Sequence, residues 1–243
     1  MAAGAPEPRE KLLRGSAAAG EGTGASVHAR LRADSGQFRS LYDRNHSANL
    51  ACVEEGLKVA QEHTLPHYEI FGRLWATPAI TRRYASGAAL QELSGCLSTL
   101  LENKYYLQAP LYQTFLGAEY GRLGEVETAR CLLRSAEELM ERTGERWFEP
   151  EVHRVYADLL HKPPAPDPGA ALEYYNRALS SARATGMLGW ELRAAISLAE
   201  FLLAQDNSDQ ALASLRDVRG KFAPDEVSAD LLEADRLLGT VRQ

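Results

Sequence analysis

The sequence has no surplus of positive charge. Lys and Arg number 27 against 33 Asp and Glu, giving a net charge of −6, so no long-range field draws the chain to phosphate backbones or anionic lipid. Nucleic acid and membrane are therefore not expected as partners. Long apolar runs are also missing: Ile196 to Ala204 is interrupted by Glu200, well short of the roughly 20 residues that a membrane-spanning helix requires. Cysteine is sparse. Cys52, Cys96 and Cys131 are odd in number and form no C-x-x-C pair, which argues against a zinc ribbon or a dithiol and for a reducing compartment, the cytoplasm. Each lies in an apolar-periodic stretch and is expected to be buried as a small hydrophobe. No G-x-x-x-x-G-K-[ST] loop occurs, and Gly20-Glu21-Gly22-Thr23-Gly24 lacks both the lysine and the flanking strand of a phosphate site. Sustained apolar–polar alternation is absent too, so no sheet is expected. The opening stretch has no continuous apolar core of a secretory leader; Arg30 and Arg32 suit an organellar transit peptide, whereas Glu7, Glu10, Glu21 and Asp34 do not.

What the chain does have is 45% apolar residues over 243 positions, enough to close a sizeable core. Residues 1–36 are rich in Ala, Gly, Ser and Pro without a helical apolar pattern, and are expected to be a disordered tail. Residues 37–243 are expected to form one repeat domain. Leu50, Val53, Leu57 and Ala60 follow the spacing of one helix face. Further on, the pattern recurs at long intervals. Leu116-Gly117, Tyr120 and Gly124 precede Ala129, Leu133 and Ala136; Leu198-Ala199 and Leu202 precede Ala211, Leu215 and Val218 at the same interval between small residues. Between them Tyr156-Ala157 and Leu160 precede Ala171, Tyr175 and Ala178, with Lys162 to Gly169 inserted at the turn. A weaker copy is expected to use a first helix around Tyr68 to Trp75, which Pro78 ends or kinks, and a second helix with Ala89, Leu93 and Cys96 facing inward. The spacing is similar to that of a tetratricopeptide repeat, in which small residues let two antiparallel helices approach closely. The expected fold is all-α: a right-handed α-solenoid of about four helical hairpins, closed by a capping helix over Asp225 to Val241 that carries Val227, Leu231, Leu232, Ala234 and Leu237-Leu238.

Two stretches, Glu141 to Arg154 (ERTGERWFEPEVHR) and Leu188 to Ala199 (LGWELRAAISLA), together with Leu172 to Leu179, resemble the C-terminal repeat region of large bacterial signalling proteins. In that family a class III adenylate cyclase domain or a helix-turn-helix domain precedes a nucleotide-binding ATPase module, and the repeats follow. The resemblance spans roughly Ala48 to Leu238. It implies a regulatory module that works with an ATPase or cyclase in trans, or else a fragment or subunit of a signalling enzyme whose catalytic part is encoded elsewhere. A basic recognition helix, which a transcription regulator needs, is not seen in this acidic sequence.

No catalytic, metal or cofactor site is expected. His63 and His67 are four apart, but Pro66 separates them and no H-E-x-x-H pattern accompanies them. His153 with Glu149 and Glu151 reads as polar helix surface rather than as a general base. Trp75, Trp147 and Trp190, each expected near the start of a first helix, suit the junctions between hairpins. In a solenoid the first helices line the concave side, and their polar residues grip a protein or peptide. On that basis Gln113, Glu119, Arg146, His153, Arg154 and Arg193 are the candidate partner-binding residues, and charge reversal at Arg154 and Arg193 is expected to leave the fold intact.

Overall fold

The computed structural model describes residues 46–84 and 87–240, and among these there are eleven helices and no strand. They are α1 (His46–Glu62), α2 (Pro66–Trp75), α3 (Thr77–Tyr84), α4 (Gly87–Glu102), α5 (Ala109–Arg122), α6 (Val126–Thr143), α7 (Glu149–Leu160), α8 (Pro168–Thr185), α9 (Leu188–Leu203), α10 (Ser208–Arg219) and α11 (Ala229–Thr240). The expected disordered tail and the glycine-rich Gly20 to Gly24 lie outside the described residues. No helix among those described is long and apolar enough to cross a membrane.

Small residues set the helix spacing. A Cβ placed on Gly117 of α5 would sit 3.3 Å from Leu133 Cδ2 and 3.4 Å from the Ala129 carbonyl oxygen of α6. The two backbones thus meet where the repeat pattern puts its small residues. The equivalent pairs, Ala157 with Ala171 and Ala199 with Ala211, are all buried, as are Leu133, Tyr175 and Leu215 one turn further along the second helices. Each pair belongs to two helices joined by a short turn and packed extensively along each other: α5 on α6, α7 on α8 and α9 on α10. The helix ends match. Gly144 and Gly186, at φ of 74° and 67°, close α6 and α8 in the left-handed conformation that favours glycine. Asp167 caps α8 by accepting a hydrogen bond from Ala170 N at 2.9 Å, with Pro168 as the first helical residue. Pro163, Pro164 and Pro166 thus stay in the turn, while Pro168 and Gly169, expected there, open α8.

The hairpins also contact one another through their first helices. α3 packs on α5, α5 on α7, α7 on α9, and α9 on α11. Accordingly α5 and α9 are buried on almost every side, whereas α6 buries a single stripe of Val126, Ala129, Leu133, Ala136 and Leu139. Two apolar cores meet at α7, one running from Val53 to Trp190 and the other from Ala157 to Leu237.

In the N-terminal copy α2 covers the expected first helix around Tyr68 to Trp75 and ends before Pro78. The chain divides into α2 and α3 at Ala76, and Pro78 occupies the first turn of α3, where its missing N–H costs nothing. Trp75 therefore ends α2, and does not begin a first helix. In α4 the inward stripe is Leu90, Leu93, Leu97 and Leu100, with Ala89 and Cys96 only half-buried, because the long leucines outcompete the small residues for the core. Cys131 corrects a second expectation. It is exposed, lying two residues from both Ala129 and Leu133 and so on the opposite side of α6. The last helix starts at Ala229 instead of Asp225, with Leu231 N donating to Ser228 Oγ at 3.2 Å. Val227 and Leu232 are 73% and 61% exposed, outside the apolar side that Leu231, Ala234 and Leu237 form.

Candidate functional site

A cavity of about 670 Å³ opens on the side lined by first helices. Pro78 of α3, Phe115, Ala118 and Glu119 of α5, Glu151, Arg154 and Asp158 of α7, and Arg193, Ser197, Glu200 and Phe201 of α9 form its walls, with Tyr175 of α8 and the α7–α8 turn closing one end. On α7 and α9 these residues recur at three- and four-residue steps, so each helix contributes one face. Ala118, Asp158 and Glu200 each directly follow the small residue of their hairpin, Gly117, Ala157 and Ala199. Three successive repeats thus point the same position into one space.

The wall is an ion-pair network. Arg154 donates from Nε and Nη2 to Glu151 Oε2 and Oε1 at 2.7 and 2.8 Å, and from Nη1 to Asp158 Oδ2 at 2.6 Å and Ser197 Oγ at 3.2 Å. Tyr175 Oη donates to Asp158 Oδ1 at 2.7 Å. Arg193, repeat-equivalent to Glu151 and 3.9 Å from its Oε1, donates to Asp230 Oδ2 of α11 at 3.1 Å from Nε and 2.9 Å from Nη2. Its guanidinium lies 5.0 Å from the Trp190 ring centroid. A bidentate pair between α7 residues and a second pair between α9 and α11 thereby fix both arginines.

Three groups of the lining are shifted from their usual pKa. Burial on its own would lower the Arg154 pKa, but the Glu151 and Asp158 carboxylates outweigh it and push it well above the usual value. Burial and the Asp158 charge raise the Tyr175 pKa, keeping this hydroxyl a donor. Burial lowers the pKa of His161, against the pull of Asp158. The cavity presents fixed charges and fixed donors.

Of the six residues singled out in the sequence, Glu119, Arg154 and Arg193 line this cavity and the other three do not. Glu119 accepts from Arg122 Nε at 2.8 Å. Gln113 is buried and donates to Ser135 Oγ at 2.8 Å across α5 and α6. His153, expected on the groove or in solvent, is buried, with Glu137 Oε1 3.8 Å from Nε2 and the Tyr174 ring edge-on. It points toward α6 and α8 instead. Arg146 is exposed and pairs with Glu149 outside the cavity. The arginines correct a further expectation: Arg154 and Arg193 have side chains 12% and 6% exposed inside ion pairs, so charge reversal there breaks the wall instead of sparing the fold. Asp158, Tyr175, Ser197 and Glu200 went unread, although the position after each repeat's small residue identifies two of them.

Elsewhere, His63 follows the end of α1 and His67 lies in the first turn of α2 against the Tyr105 ring. No group of His, Cys, Asp and Glu among the described residues could hold a metal ion. No protein-family model matches the chain, and the curated proteins contain no match to it.

Proposed function

We propose that the chain is a non-catalytic, regulatory protein-interaction module, a right-handed solenoid of tetratricopeptide-like hairpins that holds a protein or peptide segment against its first helices. The observation that carries this reading is the cavity itself, whose walls come from the first helices of three successive hairpins. Concave sites between repeated helices of this size, with aromatic and fixed polar groups together, are suited to recognition. Arg154 and Arg193 in its wall are held in ion pairs with carboxylates, a state that favours holding a ligand over transferring protons. The likeness of Glu141 to Arg154 and of Leu188 to Ala199 to the repeat region of bacterial ATPase and cyclase proteins supports a regulatory role, exercised on such a module in trans. The three free cysteines suit the cytoplasm.

The test is affinity capture from the host with the immobilised full chain, beside a variant carrying Glu200→Lys at the cavity mouth. Wild type and variant should unfold at similar temperatures. A protein retained by the wild type and lost from the variant supports the reading; identical capture by the two removes the cavity from the binding surface.

A further inference from the structure

We infer that the occupant of this groove is a basic segment, an extended stretch of partner chain that places Arg or Lys side chains between Glu119 of α5 and Asp158 of α7. The inference rests on the reading of the groove as a protein-binding surface, and it assigns the chemistry of what is bound.

The first ground is the state of the two guanidiniums. Arg154 spends four hydrogen bonds on Glu151, Asp158 and Ser197, and Arg193 spends two on Asp230. An acidic ligand would have to displace a buried carboxylate from one of them, leaving that carboxylate buried without its partner.

The carboxylates are in the opposite condition. A carboxylate offers about four lone-pair sites. Asp158 accepts one bond at each oxygen, from Tyr175 and from Arg154, and its side chain is 31% exposed. Glu119 accepts from Arg122 through Oε2. Capacity remains for incoming N–H donors on both sides of the groove. Charge points the same way: the cavity lining carries Glu119, Glu151, Asp158 and Glu200 against Arg154, Lys162 and Arg193. Phe115 supplies an aromatic surface beside Glu119 against which the stem of a long cationic side chain can lie.

The field of the whole array reinforces this. Seven of the 27 Lys and Arg residues precede α1, against five of the 33 Asp and Glu, so the helices are more acidic than the net charge of −6 indicates. Such a field speeds the approach of a basic partner and repels an acidic one. Lys162 at the turn is a cation of the cavity lining set against it.

The experiment titrates the full-length chain into two fluorescein-labelled dodecapeptides, one alternating Arg and Ala and one alternating Glu and Ala, and follows fluorescence anisotropy. The Arg peptide should bind and the Glu peptide should not. Glu119→Gln should weaken the Arg peptide by about tenfold, the worth of one hydrogen bond to a charged group, while Lys162→Glu should tighten it. Stronger binding of the Glu peptide, altered by the same two substitutions, would overturn the charge assignment and leave the groove reading intact. Failure of both peptides to bind would overturn the inference, while the groove reading would still be decided by capture with the cavity-mouth variant. Self-association that disappears with Glu119→Gln, seen by sedimentation, would give the groove to a second copy and overturn the basic segment as its occupant.

Discussion

Replacing Arg154 by Met tests whether the cavity wall is buried structure. The substitution keeps the apolar stem of the side chain but removes four hydrogen bonds, taking the bidentate partner from Glu151, whose side chain is 9% exposed, and one ion-pair partner from Asp158 at 31%. Breaking a buried ion pair by deleting one partner costs about 3–5 kcal/mol. Asp158 recovers part of its hydration, which puts the expected loss near the lower end, about 3 kcal/mol. For a domain of this size that corresponds to a fall in Tm of roughly 6–12 °C. Urea unfolding followed by far-ultraviolet circular dichroism reads the loss as a lower midpoint at unchanged slope. Adding Glu151→Gln to the Arg154→Met background should return part of the stability, since the buried carboxylate that lost its bidentate partner is then neutral. A loss below about 1 kcal/mol, the scale of a solvated surface pair, would refute the buried network.

Three further outcomes follow from particular contacts. A Cβ on Gly121 would lie 2.2 Å from Cδ2 of the buried Leu159, whereas one on Gly95 meets nothing within 4 Å; by thermal unfolding, Gly121→Ala should destabilise by about 1 kcal/mol or more, and Gly95→Ala should stabilise by up to about 1 kcal/mol. Burial, aided by the positive charge of Arg177, lowers the His153 pKa to about 4, so the folded state resists protonating it. Its contribution is complete above the unfolded value near 6.5 and is lost as the pH falls toward 4; from about pH 7 to about pH 5 the loss is about 2 kcal/mol. The raised pKa of Glu137 acts in the opposite sense and offsets part of it, and His153→Gln should flatten the pH dependence in urea unfolding. Alkylation tracked by mass spectrometry should modify exposed Cys131 before half-buried Cys96, whose pKa burial raises; the reverse order would place Cys131 in contact with other helices.

What could be read from the sequence and what could not divides along a physical line. The pairing of Gly117 with Ala129 was legible because close approach of two helices demands small residues at a fixed interval, and nothing else at those positions works. The same logic held at Leu93 but failed at Ala89 and Cys96, where the adjacent Leu90 and Leu97 bury more surface. Cys131 misled because apolar character was taken for inward direction, although two residues along a helix turn the side chain to the far side. The charged residues were hardest. Spacing of three and four residues along one helix places Glu151 and Asp158 beside Arg154, but nothing in the sequence brings Asp230 to Arg193 from 37 residues away. Nor does it distinguish His153, turned toward Tyr174, from Glu151 two residues earlier, turned into the cavity.

The central claim is that partners bind on the face made by α5, α7 and α9. Amide chemical-shift mapping of the full chain titrated with the Arg–Ala peptide tests it most directly. The account predicts perturbations gathered around Ala118 and Glu119, Asp158 to Lys162, and Glu200 to Gln205, with the outer helices α6 and α10 silent. Perturbations centred on α6 and α10, with the first helices unchanged, would contradict it.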